Sequence, residues 1–228
     1  MTTTLNARSP RSRPRRGIAA VFLVALFAAF AVFAHGGARA PGEAATLRDI
    51  HRWAPQSLDS AMLWVTRLGG AATIVALATV IGGYLALRRR WQGAALVIGS
   101  VGAAGITTAI LKLVVERARP RVFSWLTPES GYSFPSGHST ASMALALSLV
   151  ALTWHGRHRV VVAATAIPLA IGVGVSRLFL GVHYPTDVLA GWFVAAATVS
   201  AVYVLLARLG SRRGWRQTVS SEGLPSTG

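Results

Sequence analysis

Cysteine is absent from the sequence, so neither a disulfide framework nor a thiolate metal site is available. Acidic residues are scarce: seven Asp and Glu stand against 23 Lys and Arg in 228 residues, a net charge of +16. Charged residues of both signs make up only 13% of the chain, and neither a long-period repeat nor an internal domain boundary is visible. A basic excess of this size raises nucleic acid as a partner. The positions of the charges argue against it once the apolar segments are placed.

Apolar residues form 53% of the chain and come in blocks of about twenty, the length that crosses ~30 Å of hydrocarbon. The expected spans are Ile18–Ala34, Leu68–Leu87, Gly93–Leu111, Ser139–Trp154, Val160–Val175 and Val188–Leu206. In lipid the backbone must satisfy its own hydrogen bonds, so uninterrupted apolar runs read as helices. The expected fold class is therefore all-α, a polytopic membrane protein with a six-transmembrane-helix bundle. A basic tail over residues 1–17 precedes a single domain over 18–209, and a second tail covers 210–228. The first span also resembles a signal peptide, because Ala38-Arg39-Ala40 follows it, but its 17-residue apolar run exceeds a usual signal core. A retained span is the expectation.

With the N-terminus placed in the cytoplasm and the spans alternating, fourteen of the 23 basic residues fall inside and six of the seven acidic residues fall outside. That asymmetry follows the positive-inside rule, so the basicity reads as a topology signal rather than a nucleic-acid footprint. Anionic headgroups of membrane lipids are a natural secondary contact for the tails. Both termini are expected in the cytoplasm of a cell bounded by its plasma membrane. Between the first two spans, Leu47, Ile50, Trp53, Leu58, Met62 and Val65 recur at near-helical spacing interrupted by Pro55, which predicts two short interfacial helices. Trp53 and Trp64 suit the headgroup level.

Three polar clusters then fall on the outer side, where positive charge is least expected, and an ionisable residue beside a span is costly enough to mark function. The first is KLVVERARP, Lys112 to Pro120. On a continuous helix Lys112 and Arg119 share a face ~10.5 Å apart along the axis, and both reach one anion; Pro120 predicts that the span ends at Arg119. Snorkelling at a helix end explains the same residues, and Arg117 and Arg121 have no claim beyond it. Glu116 reads as a partner for one of them. The second cluster is PSGH, Pro135 to His138. A helix starting after Pro135 presents unpaired amides to an anion, Gly137 permits close approach, Ser136 adds a hydroxyl and His138 exchanges a proton near neutrality. An ordinary turn before a helix has the same composition. The third cluster is SRLFLGVHYPTD, Ser176 to Asp187. Arg177 ends a span, Pro185 opens the next, and Asp187, four residues after His183, is spaced to accept its Nδ1–H and leave Nε2 as a nucleophile. A carboxylate favouring the helix dipole is the alternative. Phosphoryl transfer uses all three clusters together.

Lys112 with Arg119-Pro120, then Pro135-Ser136-Gly137-His138, then Ser176-Arg177 with His183 and Asp187, resemble the three-part signature of the type-2 phosphatidic acid phosphatases. Bacterial undecaprenyl-pyrophosphate phosphatases and vanadium haloperoxidases belong to the same superfamily. The resemblance implies that His183 attacks phosphorus and forms a phosphohistidine, with Asp187 orienting it. It implies that His138 protonates the leaving oxygen and then activates water. Lys112, Arg119, Arg177, Ser136 and Gly137 would hold the phosphate oxygens, with no metal and no other cofactor. The expected activity is hydrolysis of a lipid phosphate at the extracytoplasmic face: undecaprenyl pyrophosphate, phosphatidylglycerophosphate or phosphatidic acid, with the undecaprenyl carrier favoured. Phosphotransfer to an acceptor other than water is an alternative. Others are a zinc hydrolase using His138, His183 and Asp187, and a non-enzymatic transporter of lipid phosphates. His35, His51, His155 and His158 read as surface residues.

Overall fold

The computed structural model describes residues 42–221, with side chains to residue 210. The expected first span, the basic tail before it and His35 lie outside the described residues. Helix α1 runs over Glu43–Trp53, and after a 3-10 turn at Gln56–Leu58 come α2, Asp59–Leu68, and α3, Ala71–Leu87. Then follow α4, Trp91–Val115; α5, Gly137–Thr153; α6, Arg159–Phe179; and α7, Pro185–Ser221. Among the described residues there is no strand.

The five later spans expected from the sequence each fall on one helix, α3 to α7. Three are singly long and apolar enough to cross a membrane: α4, α6 and Pro185–Gly210 of α7. The pair Gln56–Leu68 and Ala71–Leu87, bent by 46°, makes a fourth candidate, and α5 is a shorter apolar helix. Large apolar side chains face outward along this bundle, among them Val80, Ile106, Val161 and Leu205, as lipid-facing helices require. The chain is a helical membrane protein.

Helix α5 sits at the centre, packed against α4, α6 and α7. Its composition explains how: GHSTASMALALSLVALT is rich in Ser, Thr and Ala, small residues that let helices approach closely in lipid. Its buried hydroxyls return to the helix backbone, Ser142 Oγ donating to the His138 carbonyl at 2.8 Å and Ser148 Oγ to that of Leu145 at 2.8 Å. Apolar layers of Met143, Ala144, Ala146, Ala170, Ala195 and Val199 close the middle of the bundle.

The two short helices form as expected, with the break at Ala54-Pro55. They do more than lie on a surface. Ile50 of α1, Ala54 just after it, and Met62 and Leu63 of α2 pack onto Phe179, Leu180 and Val182, where α6 turns into α7. Leu47 is wholly buried. They cap the end of the bundle that carries the polar clusters.

Two expected boundaries shift. Helix α4 stops at Val115, because Glu116 takes a left-handed conformation with φ 49°, so Arg119 is not on the helix of Lys112 and the two do not share a helical face. At the other end α7 continues through Leu209 to Ser221, into the stretch expected as a tail.

One close approach fixes the site end of the bundle. A Cβ on Gly191 of α7 would lie 2.9 Å from the Ser136 carbonyl oxygen, 2.9 Å from Thr140 Oγ1 and 3.1 Å from Ser139 Cβ. Gly191→Ala should therefore push α7 off the start of α5 and cost about 1–3 kcal/mol. A lowered thermal unfolding midpoint in detergent is the expected result, and an unchanged midpoint would contradict this packing.

Candidate active site

All three clusters meet where α4, α5, α6 and α7 end beside the cap of α1 and α2. Asp187, in the first turn of α7, has no solvent exposure. Its Oδ1 accepts from Arg117 Nη1 at 2.6 Å, and its Oδ2 accepts from the Tyr184 amide at 2.8 Å and, at short range, from the Ser133 hydroxyl. The Tyr184 contact is the backward reach of a third-position carboxylate to the residue before a helix, which is why α7 starts cleanly at Pro185. His183 Nδ1 stands 3.4 Å from Oδ2. The Asp187 carbonyl accepts from the Ser136 amide at 3.0 Å, tying the PSGH turn to the same residue.

The other ring nitrogen of His183 defines its tautomer. Nε2 lies 3.1 Å from Arg119 Nη1. A guanidinium only donates, so Nε2 must present its lone pair and Nδ1 must carry the proton that points at Asp187. Burial pushes the imidazole down to about 4, with Asp187 opposing and Arg119 and Arg177 assisting, so His183 is neutral at pH 7. A neutral imidazole with an oriented lone pair is a competent nucleophile.

Arg119 is anchored by the loop that follows α4. It donates from Nη1 to the Val182 carbonyl at 3.0 Å, from Nη2 to that of Ser130 at 2.9 Å and from Nε to that of Gly131 at 3.1 Å. Arg177 is almost fully buried, with Nη1 donating to Thr66 Oγ1 at 2.6 Å. Its Nε is buried without a hydrogen-bond partner. Between the two guanidiniums sits Glu129, paired with Arg119 Nη2 at 3.4 Å and in short contact with Arg177 Nη2. Burial opposes ionisation of Glu129, but Arg177 and then Arg119 hold its carboxyl below the usual range, so it is an anion. Lys112 donates to the Tyr132 carbonyl and lies within electrostatic reach of Arg119, Asp187, Glu129 and Arg177. His138, in the first turn of α5, lies within reach of Arg177, Glu129, His183 and Arg119. Ser136 is buried and caps α5, its Oγ accepting from the Ser139 hydroxyl at 2.9 Å, with Gly137 next to it at the helix start.

Every residue singled out in the sequence is thus in one place, but several of its neighbours carry no local signal. Arg117, read from sequence as a snorkelling residue at a helix end, is buried and joins Asp187 to Glu43. Glu116 pairs with neither arginine as its main contact; it accepts from the Tyr132 hydroxyl at 2.9 Å. Glu43, Thr66, Glu129 and Ser133 also reach the site, and sequence reading singled out none of them. Only Ser133, three residues before Ser136, stands close to a recognised motif. Among the described residues no group of three or more His, Asp or Glu side chains is arranged to hold a metal ion.

A helical membrane protein with a neutral, carboxylate-backed histidine facing two guanidiniums, with a lysine within electrostatic reach of both, is an enzyme of phosphate chemistry in its layout. The family model described as the PAP2 superfamily matches residues 93–211, and the chain belongs to that superfamily; its relatives place it with the membrane lipid phosphatases. It is 36% identical over 141 residues to phosphatidylglycerophosphatase B of Bacillus subtilis strain 168, which covers 59% of this chain and 68% of the relative. It is 38% identical over 146 residues to lipid A 1-phosphatase of Rhizobium etli, covering 57% of this chain and 59% of that one. Among solved structures, the transmembrane PAP2-type phosphatidylglycerolphosphate phosphatase from Bacillus subtilis superposes with a TM-score of 0.71 at 28% identity, over 84% of this chain and 96% of that chain.

Removing the Ser133 hydroxyl takes one donor from a carboxylate that water does not reach. Ser133→Ala should lower stability by about 1–3 kcal/mol, read as a drop in the unfolding midpoint in detergent. No change would mean that Asp187 does not depend on this contact.

Proposed function

We propose that the protein is a lipid phosphate phosphatase that works through a phosphohistidine on His183. The observation that carries this reading is the setting of His183: Nδ1 faces Asp187 Oδ2 and Nε2 lies beside Arg119 Nη1, which assigns the proton to Nδ1 and the lone pair to Nε2. In the first step Nε2 forms a bond to phosphorus while the bond to the lipid oxygen breaks, and His138 gives that oxygen a proton. In the second, His138 takes a proton from water, whose oxygen attacks phosphorus as the N–P bond breaks. Lys112, Arg119, Arg177, the Ser136 hydroxyl and the first-turn amides at Gly137 stabilise the charge that develops on the equatorial oxygens. These chain groups suffice for the reaction without a metal.

Two features of the cradle support this. Arg177 Nε is a buried donor without a protein acceptor. Glu129 already puts one carboxylate between Arg119 and Arg177, so the site holds an internal anion where the substrate phosphate would sit. Substrate phosphate displaces that carboxylate.

The proposed substrate is a phosphomonoester or pyrophosphate of a lipid whose tail stays in the bilayer. The relatives' names move phosphatidylglycerophosphate ahead of the undecaprenyl carrier favoured by sequence alone. The proposed setting is the plasma membrane, with six spans, both termini cytoplasmic and the site on the extracytoplasmic face.

Phosphate release from phosphatidylglycerophosphate, undecaprenyl pyrophosphate and phosphatidic acid by the purified protein in detergent tests the activity. His183→Ala should abolish release while the protein stays folded; full activity in that variant would refute the assignment. Vanadate, which mimics trigonal-bipyramidal phosphorus, should inhibit the wild type. Glu129→Gln removes the competing charge, and vanadate should then inhibit at a concentration about tenfold lower. Weaker inhibition would show instead that Glu129 helps to bind the anion.

A further inference from the structure

Asp187 is held from behind by a second pair of charges. Arg117 Nη1 donates to Asp187 Oδ1 at 2.6 Å and to Thr186 Oγ1 at 2.7 Å, while Nη2 meets Glu43 Oε2 at 2.5 Å. The other oxygen of Glu43 accepts from the Thr186 amide at 3.0 Å and the Thr186 hydroxyl at 2.5 Å. The guanidinium also stacks 4.3 Å over the ring of Tyr184. Arg117 and Glu43 side chains are each only 7% exposed. Glu43 opens α1, whose Leu47 is buried, so the carboxylate is delivered by a fixed helix.

Burying an arginine between two carboxylates requires a compensating role, because such a cluster is seldom a net source of stability. Arg117 touches none of the groups proposed to hold phosphate. It occupies Asp187 Oδ1, which leaves Oδ2 as the oxygen facing His183. It also places one positive charge behind Asp187, limiting how strongly that carboxylate favours a protonated imidazole. Glu43 in turn tempers Arg117.

We infer that Arg117 and Glu43 are positioning residues for the reaction, a charge relay in space that sets both the orientation of Asp187 and the protonation of His183. This rests on the phosphohistidine reading above. The charged groups facing His183 are Asp187 from its own helix start, Arg119 from the loop after α4 and Arg177 from α6, with His138 from α5 within reach. The relay acts behind the first of these and leaves the others in place.

The test uses the full chain in detergent, with wild type, His183→Ala, Arg117→Gln, Arg117→Lys and Glu43→Gln assayed for phosphate release against pH. Arg117→Gln should lower kcat about tenfold or more with KM and vanadate inhibition unchanged. It should also move the acid limb of kcat/KM up by roughly half a pH unit, because His183 then faces an uncompensated carboxylate. Glu43→Gln should move the limb the other way. Arg117→Lys keeps the charge but loses the fork, so the limb should stay near the wild-type position while kcat remains low. A brace with no electrostatic role would scale the whole profile by the folded fraction and leave the limb where it was; that result, or wild-type kinetics in both charge variants, overturns the inference. If Arg117→Gln yields no folded protein, the opposite shift in Glu43→Gln decides the matter. An inactive wild type would sink the phosphatase reading and this one together, whereas an active wild type with an inactive His183→Ala isolates the relay.

Discussion

A single buried carboxylate organises the functional end of this molecule. Asp187 accepts hydrogen bonds from Arg117 after α4, from Ser133 before α5 and from the Tyr184 amide at the start of its own helix, and its carbonyl holds the Ser136 amide. These bonds bring the loop after α4 and the segment entering α5 onto the start of α7, so the three polar clusters share one residue as a common anchor. An unpaired charge at this depth would be untenable, and removing one partner of a buried pair costs about 3–5 kcal/mol. Folding the bundle and assembling the site are therefore the same event at this end. Gly191 matters for the same reason, since it lets α7 bring Asp187 against the PSGH turn.

The reactive face follows from that anchor. With Asp187 fixed, His183 has one nitrogen committed to it and the other turned towards Arg119. Arg119 and Arg177 do not repel one another apart because Glu129 lies between them. The cation cradle is thus kept assembled by an internal anion, and in the proposed reaction an entering phosphate would exchange one counter-ion for another. The cap of α1 and α2 contributes at both sides of this arrangement: Glu43 behind Asp187 and Thr66 beside Arg177.

Much of this was legible in the sequence, and the parts that were not share a physical cause. Apolar blocks and Pro55 located helices α1 to α7, because span length and proline chemistry are local properties. Lys112, Arg119, His138, Arg177 and His183 were marked by cationic and histidine side chains placed against the orientation bias, Ser136 and Gly137 by the turn that opens a helix, and Asp187 by its spacing from His183. Arg117 was misjudged because its burial depends on Glu43 and Asp187, 74 and 70 residues away, which no spacing rule reports. Helix α4 was read to Arg119, past its left-handed end at Glu116, since Pro120 is the stronger stop signal and a non-glycine left-handed cap is rare. Glu129 carries no local signal, because its role depends on Arg119 and Arg177 from other parts of the chain.

The most direct measurement is to quench the turning-over enzyme in alkali with substrate labelled at phosphorus and to map the label. A covalent phosphate on His183 Nε2, stable to base and released by acid, is the predicted result, and it should be absent from His183→Ala. Active protein that carries no such label, or carries it on another residue, would contradict the account.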